Sequence, residues 1–135
     1  MASGYFGTPL AKKLTLRDGM RVWFDAMPDH VIDEIDEYAL ELFFVADPAQ
    51  GIDAAHIFVT DRATLEERLA SLRYQIVPDG QIWVSWPKKA AKVPTNITED
   101  TIREICLPLG LVDTKVCAID ETWSGLKLVI RKELR

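Results

Sequence analysis

The sequence predicts a single-domain α/β fold, spanning residues 1–135, built on a mainly parallel sheet of about six strands. Three observations predict it. Short apolar runs alternate with helical patterns through the middle of the chain, as parallel strands joined by helical crossovers do. The run Ile82–Trp83–Val84–Ser85–Trp86 carries no formal charge and stops at Pro87, which fits a strand buried on both faces. The last two apolar runs lie too close together for a parallel crossover, so they form an antiparallel hairpin.

Each element has its own signal. Thr8 is placed as an N-cap with Pro9 at the first helical position, and Leu10 and Leu14 face inward. Asp18–Gly19 is a turn, and Met20 to Phe24 the first strand. Pro28 and Asp29 open a helix carrying Val31, Ile32, Ile35 and Tyr38 at helical spacing. Leu40 to Ala46 reads as the second strand and residues 47–53 as a loop. Ala55 to Val59 is the third strand. Thr60 or Asp61 then caps a helix with Leu65, Leu69, Leu72 and Ile76 on one stripe. Pro78–Asp79–Gly80 turns the chain into the strand Ile82 to Trp86.

After the lysine loop, Thr98 caps a helix whose Glu99 and Asp100 suit its positive end. Ile97 and Ile102 are spaced as a hydrophobic staple. Pro108 distorts the last turn and Gly110 stops it. Val112 to Ile119 and Leu126 to Ile130 are the closing strands, with residues 120–125 between them and Ser124–Gly125 read as a turn.

Composition narrows the function. The chain has 135 residues, 48% of them hydrophobic, and a formal net charge of −5, which argues for a folded domain and against a nucleic-acid or anionic-membrane binder. Nothing approaches the ~20 apolar residues of a membrane span, and Met1 to Phe6 lacks the features of a signal peptide. Cys106 and Cys117 lie in apolar segments outside any Cys-x-x-Cys pair, as reduced and inaccessible thiols of a cytoplasmic protein do. His30 and His56 lack ligands at a recognised metal spacing, so no metal is predicted. No nucleophile elbow, Walker loop or Cys–His motif is present.

Two resemblances follow from longer patterns. The strand at 55–59, helix at 61–74, turn at 78–80, strand at 82–86, helix at 98–107 and closing hairpin resemble the methyltransferase type of Rossmann-like fold. That resemblance implies the strand order 2-1-3-4-6-5. The strings GTPLAKKL (7–14), WVSWPKK (83–89) and KVCAIDETWSGLK (115–127) are similar to a family of small bacterial proteins of unknown function, which supplies no reaction. Methyltransferases of this type lead from the first strand into a glycine-rich turn. Here the turn is Asp25–Ala26–Met27–Pro28–Asp29, without glycine, so tight binding of S-adenosylmethionine is not expected and no cofactor is predicted. Asp47 stands near the position where such folds hold a ribose.

The candidate site is the carboxyl edge of the sheet, where open α/β sheets bind ligands. Lys88, Lys89 and Lys92 follow the fourth strand and supply point charges for a phosphate or carboxylate. Arg62 follows the third strand, and Asp120 and Glu121 follow the fifth. Trp86 and Trp123 flank these charges and offer a flat face. The expectation is one concavity lined by these groups that recognises a small anionic ligand without catalysis. The alternatives are a transferase of the S-adenosylmethionine-dependent type with an atypical cofactor site, and a protein-interaction module marked by an exposed tryptophan patch.

Overall fold

The computed structural model describes residues 7–135, so the reading of Met1 to Phe6 lies outside the described residues. Six strands form one sheet in the order β2-β1-β3-β4-β6-β5, the order expected. β1 (Arg21–Asp25), β2 (Phe43–Phe44), β3 (Ile52–Phe58) and β4 (Ile76–Pro87) run parallel, and β6 (Trp123–Ile130) lies antiparallel between β4 and β5 (Leu111–Ala118). β5 therefore points the same way as β4, and the carboxyl ends of β1, β3, β4 and β5 share one edge.

Strand alternation splits the core into two layers. Leu10 and Leu14 beside α1 (Leu10–Lys13) and Val31 and Ile35 of α2 (Asp29–Asp36) pack on Val22, Ala54, Phe58 and Trp83. On the other face, Leu65, Leu69 and Leu72 of α3 (Arg62–Leu72) and Ile102, Ile105 and Cys106 of α4 (Glu99–Cys106) cover Ala55, Ile57, Ile82, Val84 and Trp86. Each such aliphatic side chain contributes about 1.5–3 kcal/mol of burial. Polar bonds fix α1 on the sheet: the Trp83 indole N–H and the Gln81 amide both donate to the Leu14 carbonyl, at 2.9 and 2.8 Å.

The helix starts follow their caps. The Asp61 carboxylate accepts from the Thr64 N–H, and Thr98 forms a capping box with Thr101. Ile97 and Ile102, the expected staple pair, are both buried. After α4, Leu107–Leu109 tightens into a 3-10 turn at Pro108, and Gly110 leaves it in the left-handed region at φ 83°.

Several boundaries differ from expectation, each for a local reason. Thr8 makes no cap, because α1 starts one residue later with Pro9 in the capping position. α2 ends at Asp36, which leaves Tyr38 exposed. The second strand shrinks to Phe43–Phe44, where only Arg21 and Val22 of β1 face it. Asp53 belongs to β3 rather than to a loop; its carboxylate accepts the backbone N–H and the guanidinium Nε of Arg21. Ile76 leaves the helical stripe and opens β4 opposite Ile52. Pro78–Asp79–Gly80 is an irregularity inside β4, whose pairing with β3 jumps from Ile52–Ile76 to Ala54–Gln81. Ser124–Gly125 is strand, not turn: Gly125 pairs with Ser85 and Cys117, and a side chain there would press on Ile119 and Trp83. No helix among the described residues is long and apolar enough to cross a membrane.

Candidate functional site

Three connections meet at the carboxyl edge. Pro87 ends β4, and Lys88 follows with its backbone N–H on the Thr122 carbonyl at 2.7 Å. The Lys88 ammonium turns back to the Asp120 carbonyl at 2.5 Å. Asp120 lies in the β5–β6 connection, and its Oδ1 accepts the N–H groups of Thr122 and Trp123, at 2.8 and 2.7 Å. The other oxygen, Oδ2, lies 2.7 Å from Nε2 of His30, in the first turn of α2 after β1. Burial pushes the Asp120 carboxyl up, but the His30 contact and the two backbone donors outweigh it and hold the group below its ordinary value.

His30 is the member of this edge that the sequence reading set aside. The sequence reading treats it only as a potential metal ligand. The topological argument that selected residues after β3, β4 and β5 applies equally to the connection after β1, and would have found it. Its side chain is 64% exposed, whereas Asp120 is 19% exposed, so the imidazole stands in solvent from a fixed anchor. Among the described residues, no group of three or more His, Cys, Asp or Glu is placed to hold a metal ion.

The eight expected residues do not line one concavity. Lys88 and Asp120 touch, and Glu121, Lys89 and Lys92 stand exposed beside them on the same edge. Arg62 is drawn away: its guanidinium bridges Glu66 of α3 at 3.2 Å and Glu104 of α4 at 3.1 Å. Trp86 and Trp123 point to opposite faces. Trp86 pairs with Ser124 and joins the α3–α4 core at 8% exposure, while Trp123 pairs with Pro87 and meets Phe58 edge-on at 5.1 Å on the other face. Period-two alternation requires this once the register is known. The four tryptophans are buried or half-buried, so they form no exposed patch.

The turn after β1 is built without glycine but keeps a glycine-like backbone. Ala26 has φ 58°, in the left-handed region. Asp25 before it accepts Nε of Arg68 at 2.7 Å, which ties the end of β1 to α3. Asp47, after β2, spends a carboxylate oxygen on the Ala49 N–H, 2.9 Å away, as the cap of the 3-10 turn Pro48–Gln50.

Two titratable groups lie buried in the core. His56 of β3 places Nε2 2.7 Å from the Ser85 hydroxyl, among Phe24, Phe58 and Trp83, and burial pushes it down to about 3, so it is neutral. Cys106 is buried and its thiol is pushed up to about 11. Cys117 is only half-buried, where the sequence reading expected it to be inaccessible.

The family model described as "Protein of unknown function (DUF3052)" matches residues 11–132, and the chain belongs to that family. A search of curated proteins gave no match. Among solved structures, the chain is similar to the ribosomal protein L11 methylase of Lactobacillus delbrueckii subsp. bulgaricus, with a TM-score of 0.56 and 10% identity over 90% of this chain and 75% of that one. It is also similar to a TehB-like SAM-dependent methyltransferase of Corynebacterium glutamicum, with a TM-score of 0.54 and 10% identity over 95% and 92%. A third is the precorrin-6y C5,15-methyltransferase of Geobacter metallireducens, with a TM-score of 0.55 and 11% identity over 90% and 85%. At these identities the likeness establishes a methyltransferase-like α/β fold.

Proposed function

We propose that this DUF3052 domain binds a small anionic ligand at the carboxyl edge of its sheet, through Lys88, Lys89 and Lys92 with His30. The observation that carries the reading is the convergence of His30, Lys88 and Asp120, from three separate connections, on one hydrogen-bonded knot. Asp120 spends its carboxylate on His30 and two backbone N–H groups and its carbonyl on the Lys88 ammonium, so it orients these groups more than it repels an anion. Lys89 and Lys92 make no ion pair among the described residues and supply charge that a phosphate or carboxylate can claim.

Titration calorimetry with inorganic phosphate at low salt tests this. Saturable binding is expected, weakened by added salt and by the double variant Lys89→Ala, Lys92→Ala. Binding that is absent, or unchanged in that variant, overturns it. A second reading, a transferase of the S-adenosylmethionine-dependent type, is favoured by one observation: Ala26 adopts the backbone conformation that a glycine turn would supply. We expect no tight binding of that cofactor, because Asp25 is already held by Arg68 and Pro28 lacks an N–H. A dissociation constant near or below ~10 μM, about 7 kcal/mol of binding, would replace the first reading with the second.

A further inference from the structure

The face of the sheet that carries α1 and α2 divides into two halves of opposite charge. α1 is only four residues long, and it is fixed over β4 where Gln81 and Trp83 bond the Leu14 carbonyl. Beyond it, the same face of β6 and β5 forms a shelf. Lys127 pairs with Trp83 on one side and with Lys115 on the other, so both lysines share the face of Trp83. Val129 and Val112 pair next along that face, half-buried and in neither layer of the core. A mainly parallel sheet usually has such a face under a helix.

The shelf carries positive charge without a counter-ion. Like charges directly opposite on neighbouring strands are destabilising, and Lys115 faces Lys127 in this way. The Lys115 ammonium donates to the Lys13 carbonyl at 2.8 Å, and neither lysine makes an ion pair among the described residues. Arg17 adds a third cation. Its charge acts on Lys127 and on Asp53, whose carboxylate is already bonded to Arg21. Burial, with Lys115 and Arg17 beside it, pushes the Lys127 ammonium below its ordinary value.

The other half, α2, carries negative charge that is equally unmatched. Val31 and Ile35 are buried, and Asp29, Asp33, Asp36 and Glu37 recur at helical spacing on the opposite side, all exposed. None of the four makes an ion pair among the described residues. Asp36 and Glu37 stand at the carboxyl end of the helix, where negative charge is disfavoured, and the last turn holds no basic residue.

We propose that a second copy of this chain covers the shelf, its acidic α2 stripe lying on Lys115 and Lys127, in a two-fold dimer. The two halves lie side by side on one face. A two-fold axis parallel to the strands, between α2 and the shelf, brings each copy's α2 over the other's shelf, so both contacts close at once. α2 stands above the sheet as a ridge and the shelf is a step down from it, so shape agrees with charge. Each unmatched group then meets its opposite. The proposal is independent of the carboxyl-edge reading, since it uses none of Lys88, Lys89, Lys92 and His30.

Sedimentation velocity tests the association, and cross-linking tests the contact. At about 0.1 M salt the chain is expected to show a monomer–dimer equilibrium at concentrations up to about 100 μM. At about 1 M salt, where the Debye length falls to about 3 Å, association should weaken about tenfold or more. A carbodiimide joins a carboxylate to an ammonium without a spacer. Applied to mixed ¹⁴N- and ¹⁵N-labelled chains, it is expected to give mixed-isotope links from Lys115 or Lys127 to Asp33, Asp36 or Glu37. The double variant Arg17→Glu, Lys115→Glu should be monomeric alone, as should Asp33→Lys, Glu37→Lys. Mixing the two should restore a heterodimer, because both contacts are again matched. The cross-links come from the unaltered protein and decide the matter even if a variant fails to fold. A monomer across the whole range, a dimer indifferent to salt, a folded variant that still dimerises alone, or mixed-isotope links that avoid these residues overturns the proposal.

Discussion

Replacing His56 with glutamine removes a buried titrating group while leaving an amide that can still bond the Ser85 hydroxyl. In the folded protein burial depresses His56 from 6.5 to about 3. The unfolded chain, with its histidine near 6.5, therefore takes up the proton first as the pH falls. Stability due to the neutral ring is complete above pH 6.5 and is lost progressively from there down towards about pH 3. Proton linkage with these values removes about 2 kcal/mol between pH 7.5 and pH 5. The carboxyls held low in the fold, Asp53 and Asp120, start from 3.8 and contribute their losses mainly below this window. Urea unfolding at pH 7.5 and at pH 5.0 measures the change, and the same pair of measurements on His56→Gln subtracts every other titrating group. The wild type should lose about 2 kcal/mol more than the variant. Parallel losses in the two proteins would refute the argument, because His56 would then titrate as freely folded as unfolded.

Three further outcomes are expected. Lys88→Ala should cost about 1.5–3 kcal/mol, the range for a hydrogen bond to a charged group, because the ammonium closes the β5–β6 connection at 2.5 Å; Lys89→Ala should leave the urea midpoint unchanged, and equal effects would show that the Lys88 contact does not persist in solution. Gly80→Ala should destabilise by about 1–3 kcal/mol, since a Cβ there would stand 2.9 Å from the Asp53 carbonyl and 3.0 Å from that of Val77; an unchanged midpoint would show that the irregularity in β4 relaxes freely. Cys117 should react with a thiol reagent before Cys106, whose burial and raised pKa keep it protonated until the chain unfolds; simultaneous labelling of the native protein would contradict this.

The strand order was legible through the resemblance to the methyltransferase type of Rossmann-like fold, and crossover length alone gave only the parallel middle and the closing hairpin. Thr98 was legible as a cap, and Asp61 as one of two candidates with Thr60, because capping is local and depends on one side chain. The second strand was not, since an edge strand's length is set by its neighbour, and only Arg21 and Val22 of β1 face it. The candidate site divides in the same way. Lys88 and Asp120 were legible as members of one edge from strand direction, though their contact was not. The opposed faces of Trp86 and Trp123 depend on the register Pro87–Trp123, which no single strand carries. The Arg62 bridges needed the packing of α3 against α4, a long-range contact invisible to local pattern.

The irregularity in β4 also bears on how this sheet avoids misalignment. A strand buried on both faces has no polar side to betray a slip, so β3 and β4, both apolar, are poorly protected by pattern from pairing two residues out of step. Here the two strands are clasped at separated points. Ile52 meets Ile76, Ala54 meets Gln81, and the surplus residues between are folded over Asp53 with Gly80 seated against its carbonyl. A slipped ladder would have to carry that surplus along or press a side chain into the Asp53 backbone. The bulge thus acts as a ratchet tooth between the two central strands, and it sets the height at which Lys88 emerges at the far end of β4.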